Sequence, residues 1–423
     1  MAPRHVPLFA RVLIGVALGA FVGMAFGAGE IALGVTTADL GVLGLLVIRV
    51  LRMLAVPLVL FAVLDAIVRT EVSARMGGRL IVICMFNVSV AFTIGLTIMN
   101  VLEPGNTWYG HIDDLTSGLL LEQPKHAPPG VSLSPIENVQ RWVPNAIAEP
   151  FAENNVIAVV LLAILAGVAI RRIRSEPGAA EPMAALERVI DGTYRVLARM
   201  LGYVIETVPF AVFGVVAQVV GKAGLDVFGK LWVFLAVILL GMAIHALLYY
   251  PLMAWIGGGK SPRVYLGRGA DAIFTGLSTN SSLATVPVTL RCLDQMDVKP
   301  ESARLAACIG TNLNNDGITL YEAMAALFLA QALGYELPMT AQIAIVLASL
   351  MAGIGVAGVP EAGLIVLPLV LATAGLPEPV VAALLPLVFA VDWILARCRS
   401  GVNVMSDMLV AILIDRWTRL RGS

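Results

Sequence analysis

The chain has 423 residues, 59% of them hydrophobic and only 13% charged, with a mean hydropathy of +0.88. Soluble domains carry about 25% charged residues, so this composition describes a polytopic membrane protein. The formal net charge is −1, and no basic tract interleaved with aromatics offers a nucleic-acid surface. Cys84, Cys292, Cys308 and Cys398 lie in or beside apolar stretches without CxxC spacing, as reduced packing residues do. His5, His111, His126 and His245 form no HExxH or other cluster, which leaves metalloenzyme chemistry without a motif.

Six ordinary spans are expected near 8–28, 41–68, 79–102, 155–171, 197–221 and 227–256. The first, LFARVLIGVALGAFVGMAFGA, has spanning length (about 20 residues) and reads as a span rather than a cleaved leader. Basic residues gather at Arg4/Arg11, Arg69/Arg75/Arg79, Arg171/Arg172/Arg174 and Lys260/Arg263/Arg268. The alternate connections are nearly free of them, and the polar stretch 103–150 holds only Lys125 and Arg141. The positive-inside rule therefore predicts a cytoplasmic N-terminus and an extracytoplasmic 103–150 segment.

Beyond residue 256 two apolar stretches are interrupted. One is 271-DAIFTGLSTNSSLATVPVTLRC-292; the other, 342–376, breaks at 353-GIGVAGVPEAG-363. Unwound backbone at membrane depth needs protein or water partners, which predicts two helices meeting tip-first in a re-entrant hairpin. Arg291, Lys299 and Arg304 flank the first, so it enters from the cytoplasm; LGYELP and GLPEP flank the second without Lys or Arg, so it enters from outside. The last helix ends in RWTRLRGS, again cytoplasmic. Hairpin plus helix thus occurs twice in opposite orientation, over 262–333 and 340–418, an inverted repeat of the kind that places a binding site near the midplane. Two Gly/Pro-kinked spans without a site are the plain alternative.

The final apolar helix, residues 387–414, carries charge where lipid exposure would cost at least about 2.5–3.5 kcal/mol per group. Asp392, Arg399, Asn403 and Asp407 fall on one stripe, which must face protein or a water-filled cavity. An internal ion-pair ladder or a substrate and ion path would each account for it. In 311-TNLNNDGITLY-321, Asn314, Asn315 and Asp316 precede Gly317, supplying hard oxygen ligands for a small cation. Backbone N–H groups at the tips, around Ser281/Ser282 and Gly358, can hold one carboxylate, and the Arg399 fork suits a second. The chemistry predicts an anion bound together with cations, with no bond-making step.

These stretches, with 49-RVLRMLAVPLV-59, run in an order that resembles the dicarboxylate/amino acid:cation symporter family, which includes glutamate and aspartate transporters and bacterial C4-dicarboxylate carriers. The resemblance covers nearly the whole chain. It implies a homotrimer in a plasma membrane such as the bacterial inner membrane, with both termini cytoplasmic and sodium or protons driving uptake of a small carboxylate. A scaffold (1–78 and 103–225) and a sliding transport domain (79–102, 226–261, 262–333, 340–418) are likewise implied. Residue by residue, the family's serine-rich tip falls at Ser281 and Ser282, with Leu283 in place of a third serine. Its cation-binding motif falls at Asn314, Asn315, Asp316, Gly317 and Ile318, where Asn315 replaces Met and Ile318 replaces Thr. The resemblance gives substrate contact to Arg399, substrate and cation contact to Asn403, and sodium to Asn314, Asp316 and Asp407. The aspartate that holds an amino-acid ammonium falls at Ala396, which predicts succinate or malate rather than aspartate as substrate. A third-helix cation site is replaced by Cys84, Asn87 and Val88, and Arg397 matches the second arginine of the animal branch, with Asn280 in the first hairpin.

Other residues have structural readings: His245 as a packed, hydrogen-bonded histidine, and Arg49 and Arg52 as snorkelling or scaffold-paired side chains. Glu361 is either a solvated tip residue or one that tunes coupling. The expected protein is all-α, with eight spans and two re-entrant hairpins, and a cation-coupled symporter of C4-dicarboxylates with no organic cofactor. Its alternatives are an acidic or neutral amino-acid symporter whose amine contact comes from elsewhere, and an anion channel or non-transporting sensor on the same scaffold. The Asn314/Asp316 and Asn403/Asp407 pairs, which a channel does not need, favour transport. A membrane-bound enzyme has no supporting motif.

Overall fold

Gly15, Gly19 and Gly23 recur every four residues along the first apolar run, giving helix α1 (Leu8–Phe26) one face without side chains. A Cβ at these positions would lie 2.6, 2.6 and 2.7 Å from the carbonyl oxygens of Pro209, Phe213 and Ala217. Lipid supplies no hydrophobic drive between helices, so this close approach is what seats α1 on the helix carrying those carbonyls. The computed structural model describes residues 8–69, 74–110, 143–153, 155–355, 363–376 and 378–420.

After α1, a two-residue turn at Leu33 and Gly34, both at positive φ, joins strands β1 (Glu30–Ala32) and β2 (Val35–Thr36). Helices α2 (Thr37–Arg69), α3 (Ala74–Leu102) and α4 (Val156–Arg174) follow, each longer than its apolar run. The Asn155 side chain caps α4 by accepting from the Ala158 N–H at 3.1 Å. The fifth expected span is two helices, α5 (Ala180–Ile205) and α6 (Val208–Ala223). Pro209 lacks the N–H that would continue the first helix, and Glu206 in the break takes the Arg11 guanidinium of α1 instead. The sixth span is α7 (Asp226–Ala243), a wide π turn over Ile244–Tyr249, and α8 (Tyr250–Ile256). Among the described residues, Gly77–Leu102, Ala180–Lys222 and Leu231–Ile256 are long and apolar enough to cross a membrane.

Helices α9 (Pro262–Thr279) and α10 (Ser282–Gln295) fold back on each other at a tip of two residues, Asn280 and Ser281. Next come the short α11 (Pro300–Arg304), a π turn over Leu305–Ile309, a 3-10 turn over Gly310–Asn312, and α12 (Asp316–Ala332). The order repeats with the pair α13 (Met339–Gly355) and α14 (Gly363–Thr373), followed by the 43-residue α15 (Glu378–Leu420). Two sets of mutual contacts result: α1, α2, α4, α5 and α6 in one; α3, α7, α12, α13, α14 and α15 around the buried α12 in the other. Helices α13 and α14 also touch α2, which brings the second pair against the first set.

Candidate substrate and cation site

Helix α15 buries its charged stripe completely: Asp392 is 1% exposed, Ala396 1%, Arg399 2%, Asn403 3% and Asp407 2%. The Arg399 side chain reaches back along its own helix and donates from Nη1 to Asp392 Oδ1 at 2.7 Å and from Nη2 to Oδ2 at 3.0 Å. This is the bidentate fork that makes an arginine–carboxylate pair both strong and directional. One face of the guanidinium lies over the Tyr321 ring of α12, 4.2 Å from its centroid. Gly363, at the start of α14, covers it as well: a Cβ there would sit 2.6 Å from Cζ and from both terminal nitrogens. Asp392 and Arg399 are thus an ion pair within one helix rather than between helices, and the fork is positioned between α12 and α14.

Two turns further on, α15 meets the unwound entry to α12. Asn314 donates from Nδ2 to Asp407 Oδ1 at 3.2 Å, and the Gly317 N–H donates to Asn403 Oδ1 at 2.9 Å. Asn403 in turn donates to Asn315 Oδ1 at 3.3 Å, and Asn315 to the Gly353 carbonyl of α13 at 3.1 Å. The Ser406 hydroxyl lies 2.9 Å from Asn314 Oδ1 and 2.8 Å from Asp316 Oδ2. Asp316 Oδ2 also accepts from the Tyr250 hydroxyl at 2.9 Å and faces His245 Nε2 at 3.4 Å. The π turn in the sixth span is what brings His245 and Tyr250 to this carboxylate together. His245 is thus the buried, hydrogen-bonded residue expected of it.

At the first tip, Asn280 adopts a left-handed conformation (φ 53) and Ser281 caps α10, its hydroxyl accepting from the Ala284 N–H at 3.2 Å. Ser400, next to Arg399, donates to Asn280 Oδ1 at 3.0 Å, which ties this tip to α15; Ser282 is buried behind it. The structure thus joins Asn314, Asp316, Asn403 and Asp407 through α12 and α15, with Arg399 and Ala396 on the same buried stripe, while Ser281 stays within the first hairpin beside Asn280. Gly358 and Glu361 lie outside the described residues.

Several expectations meet a different surrounding. Arg397 donates to the Trp393 carbonyl at 3.0 Å and stacks over that residue's ring at 5.8 Å. Cys84, Asn87 and Val88 are buried, and Asn87 accepts from the Tyr249 hydroxyl at 2.7 Å. Arg49 lines a cavity of about 750 Å³ between α2 and α14, together with Pro57, Glu153 and Pro368; the Arg52 side chain lies outside the described part. Sequence reasoning passed over Tyr250, Ser406, Gly363 and Glu322. The last is fully buried, and neither carboxylate oxygen has a hydrogen-bond partner among the described residues. A lone acid in the apolar run 317–332 was its available signal.

The oxygen set of Asn314, Asp316, Ser406 and Asp407 offers carboxylate, amide and hydroxyl ligands, the donors a small hard cation prefers. Excitatory amino acid transporter 1 of Ambystoma tigrinum is 28% identical over 426 residues, covering 89% of this chain and 77% of the relative. An excitatory amino acid transporter of Caenorhabditis elegans is 27% identical over 418 residues, covering 89% and 81%. The human excitatory amino acid transporter 1 is 30% identical over 289 residues, covering 67% of this chain and about half (52%) of its own length. The profile of the sodium:dicarboxylate symporter family matches residues 8–417. The chain belongs to that family, and it is a multi-helix membrane transporter rather than an enzyme.

Proposed function

We propose that the protein is a cation-coupled secondary symporter for a small carboxylate-bearing amino acid, with sodium as the coupling ion. The observation that carries this reading is the arrangement along the buried α15: a cationic fork at Arg399 and, two turns on, Asp407 in an oxygen cluster with Asn314 and Asp316 from the entry to α12. The first attracts an anion and the second a cation, so each site's occupant offsets the charge of the other. The relatives' names favour an amino acid over the C4-dicarboxylate drawn from Ala396. That buried methyl remains the specific observation for succinate or malate as a second reading.

In this reading Ser281, Ser282 and Gly358 supply the tips, Arg399 and Asn403 the polar contacts, and Asn314, Asp316, Asn403 and Asp407 the cation oxygens. The set of helices around α12 forms the moving transport domain and the set with α1 and α2 the scaffold of a homotrimer, set in a bacterial inner membrane with cytoplasmic termini. Reconstitution into proteoliposomes tests the proposal. An imposed inward sodium gradient should concentrate labelled L-aspartate inside, and collapse of the gradient should release it. Flux that never exceeds equilibrium would make the protein a channel. Uptake driven by a proton gradient alone would replace sodium with protons, and competition by succinate ranks the two substrate classes.

A further inference from the structure

The Asp392–Arg399 pair raises a question of charge balance that the substrate has to answer. Both groups are buried and each is the other's bidentate partner. A substrate carboxylate that takes the Arg399 fork displaces Asp392, leaving an ionised carboxylate in a dry site without its cation. A dicarboxylate brings two further negative charges and nothing for Asp392. An α-amino acid brings a carboxylate for Arg399 and an ammonium for Asp392, exchanging one internal ion pair for two.

Ala396 stands four residues after Asp392 and three before Arg399, so the three share one face, and its methyl is the smallest side chain on that segment. Resting on the transport reading above, we infer that Asp392 takes the substrate's ammonium group and that the amino acid inserts between the two halves of the pair. Ala396 then loses its significance as a missing amine contact: the acidic group is present one turn earlier, held in reserve by the arginine it will release. Tyr321 and Gly363 hold the guanidinium flat while its partner changes.

L-Aspartate and succinate differ only by the ammonium, which makes them the probes of choice. Binding is measured calorimetrically on the purified full chain in saturating sodium. Wild type is expected to prefer L-aspartate. Asp392→Asn should weaken L-aspartate at least tenfold and leave succinate unchanged or tighter, reversing the preference. Equal weakening of both would reduce Asp392 to a group that positions Arg399, and equal tightening would make it a mere competitor; either overturns the inference, as does a wild-type preference for succinate. Should Asp392→Asn fail to fold, Ala396→Asp decides. With the amine already paired, it gains L-aspartate less than about threefold; a tenfold gain means the amine was unpartnered and the inference falls. Absence of binding by either compound, with and without sodium, would instead sink the transport reading itself.

Discussion

The two ends of the buried stripe on α15 solve the same problem, charge in a dry interior, in opposite ways. At Asp392 and Arg399 the charges cancel within the chain, through a bidentate contact at 2.7 and 3.0 Å. At Asp407 and Asp316 two carboxylates share one neighbourhood, and apart from the His245 imidazole at 3.4 Å their partners are neutral amides and hydroxyls. In the reading proposed above, the balanced end exchanges partners and the acidic end gains a cation. In that reading a solute bearing both charges at the first and cations at the second each reduce the buried charge left unpaired. Under that proposal, coupling between solute and ion is a matter of the two ends of α15 being completed together, with Asn403 and Gly317 bonded between them.

Breaking the balanced end should have the largest effect. Arg399→Ala removes the fork and strands Asp392, and a buried pair broken on one side costs about 3–5 kcal/mol. Carboxylate binding should disappear in calorimetry, and the thermal midpoint of the purified protein should fall. Retained wild-type affinity would place the substrate elsewhere. Asp407→Asn tests the acidic end. It removes a formal charge from an oxygen set that must attract a cation, so the sodium concentration for half-maximal substrate binding should rise tenfold or more, about 1.4 kcal/mol. An unchanged sodium titration would make Asp407 a structural acceptor for Asn314.

Much of this architecture is written in local patterns. The apolar lengths, the polar tip at Asn280–Ser282 and the unwinding at Asn314–Asn315 are readable because backbone cannot stay irregular in lipid without a reason. The stripe is readable from helical periodicity alone. Who holds the Arg399 fork is not: Asp392 lies seven residues back, about 10 Å along the helix, within reach only of a fully extended side chain pointing towards the N-terminus. Partners from other helices are less legible still. Tyr250 and His245 reach Asp316 because a π turn re-phases the sixth span, and in GMAIHALLYYP only Pro251, just past that turn, hints at it. The division of α5 from α6 did carry a mark, Pro209, overridden in the reading by a continuous apolar run. Glu322 carried one too, as the lone acid beside Tyr321.

A smaller effect is expected where backbone rather than charge sets the balanced end. Gly363→Ala puts a methyl where a Cβ would meet the guanidinium at 2.6 Å. The arginine has a flexible stem and can shift, so the fold should survive, with an overpacking cost of about 1–3 kcal/mol. That displacement should appear as weaker substrate binding at unchanged sodium half-saturation, the reverse of the pattern expected for Asp407→Asn. Loss of both would mean that α14 positions the acidic end as well, and the two ends would no longer be separable.

The smallest expected effect lies at Ser406, and it reports on the acidic end most finely. Its hydroxyl has one proton and two acceptors in range, Asn314 Oδ1 at 2.9 Å and Asp316 Oδ2 at 2.8 Å. Whichever oxygen receives the proton, the other is left in close contact with an oxygen lone pair, a mild repulsion that a cation among the three would reverse. Ser406→Ala removes one hydrogen bond, worth about 0.5–1.5 kcal/mol, and one oxygen ligand with it. If the hydroxyl serves the ion, the sodium half-saturation should rise two- to fivefold, while substrate affinity at saturating sodium stays as in wild type. If stability falls by the same amount but the sodium titration does not move, the hydroxyl only braces Asp316. The cation would then be held from the Asp407 side, and the acidic end would divide into one carboxylate that binds an ion and one that neutral donors already satisfy.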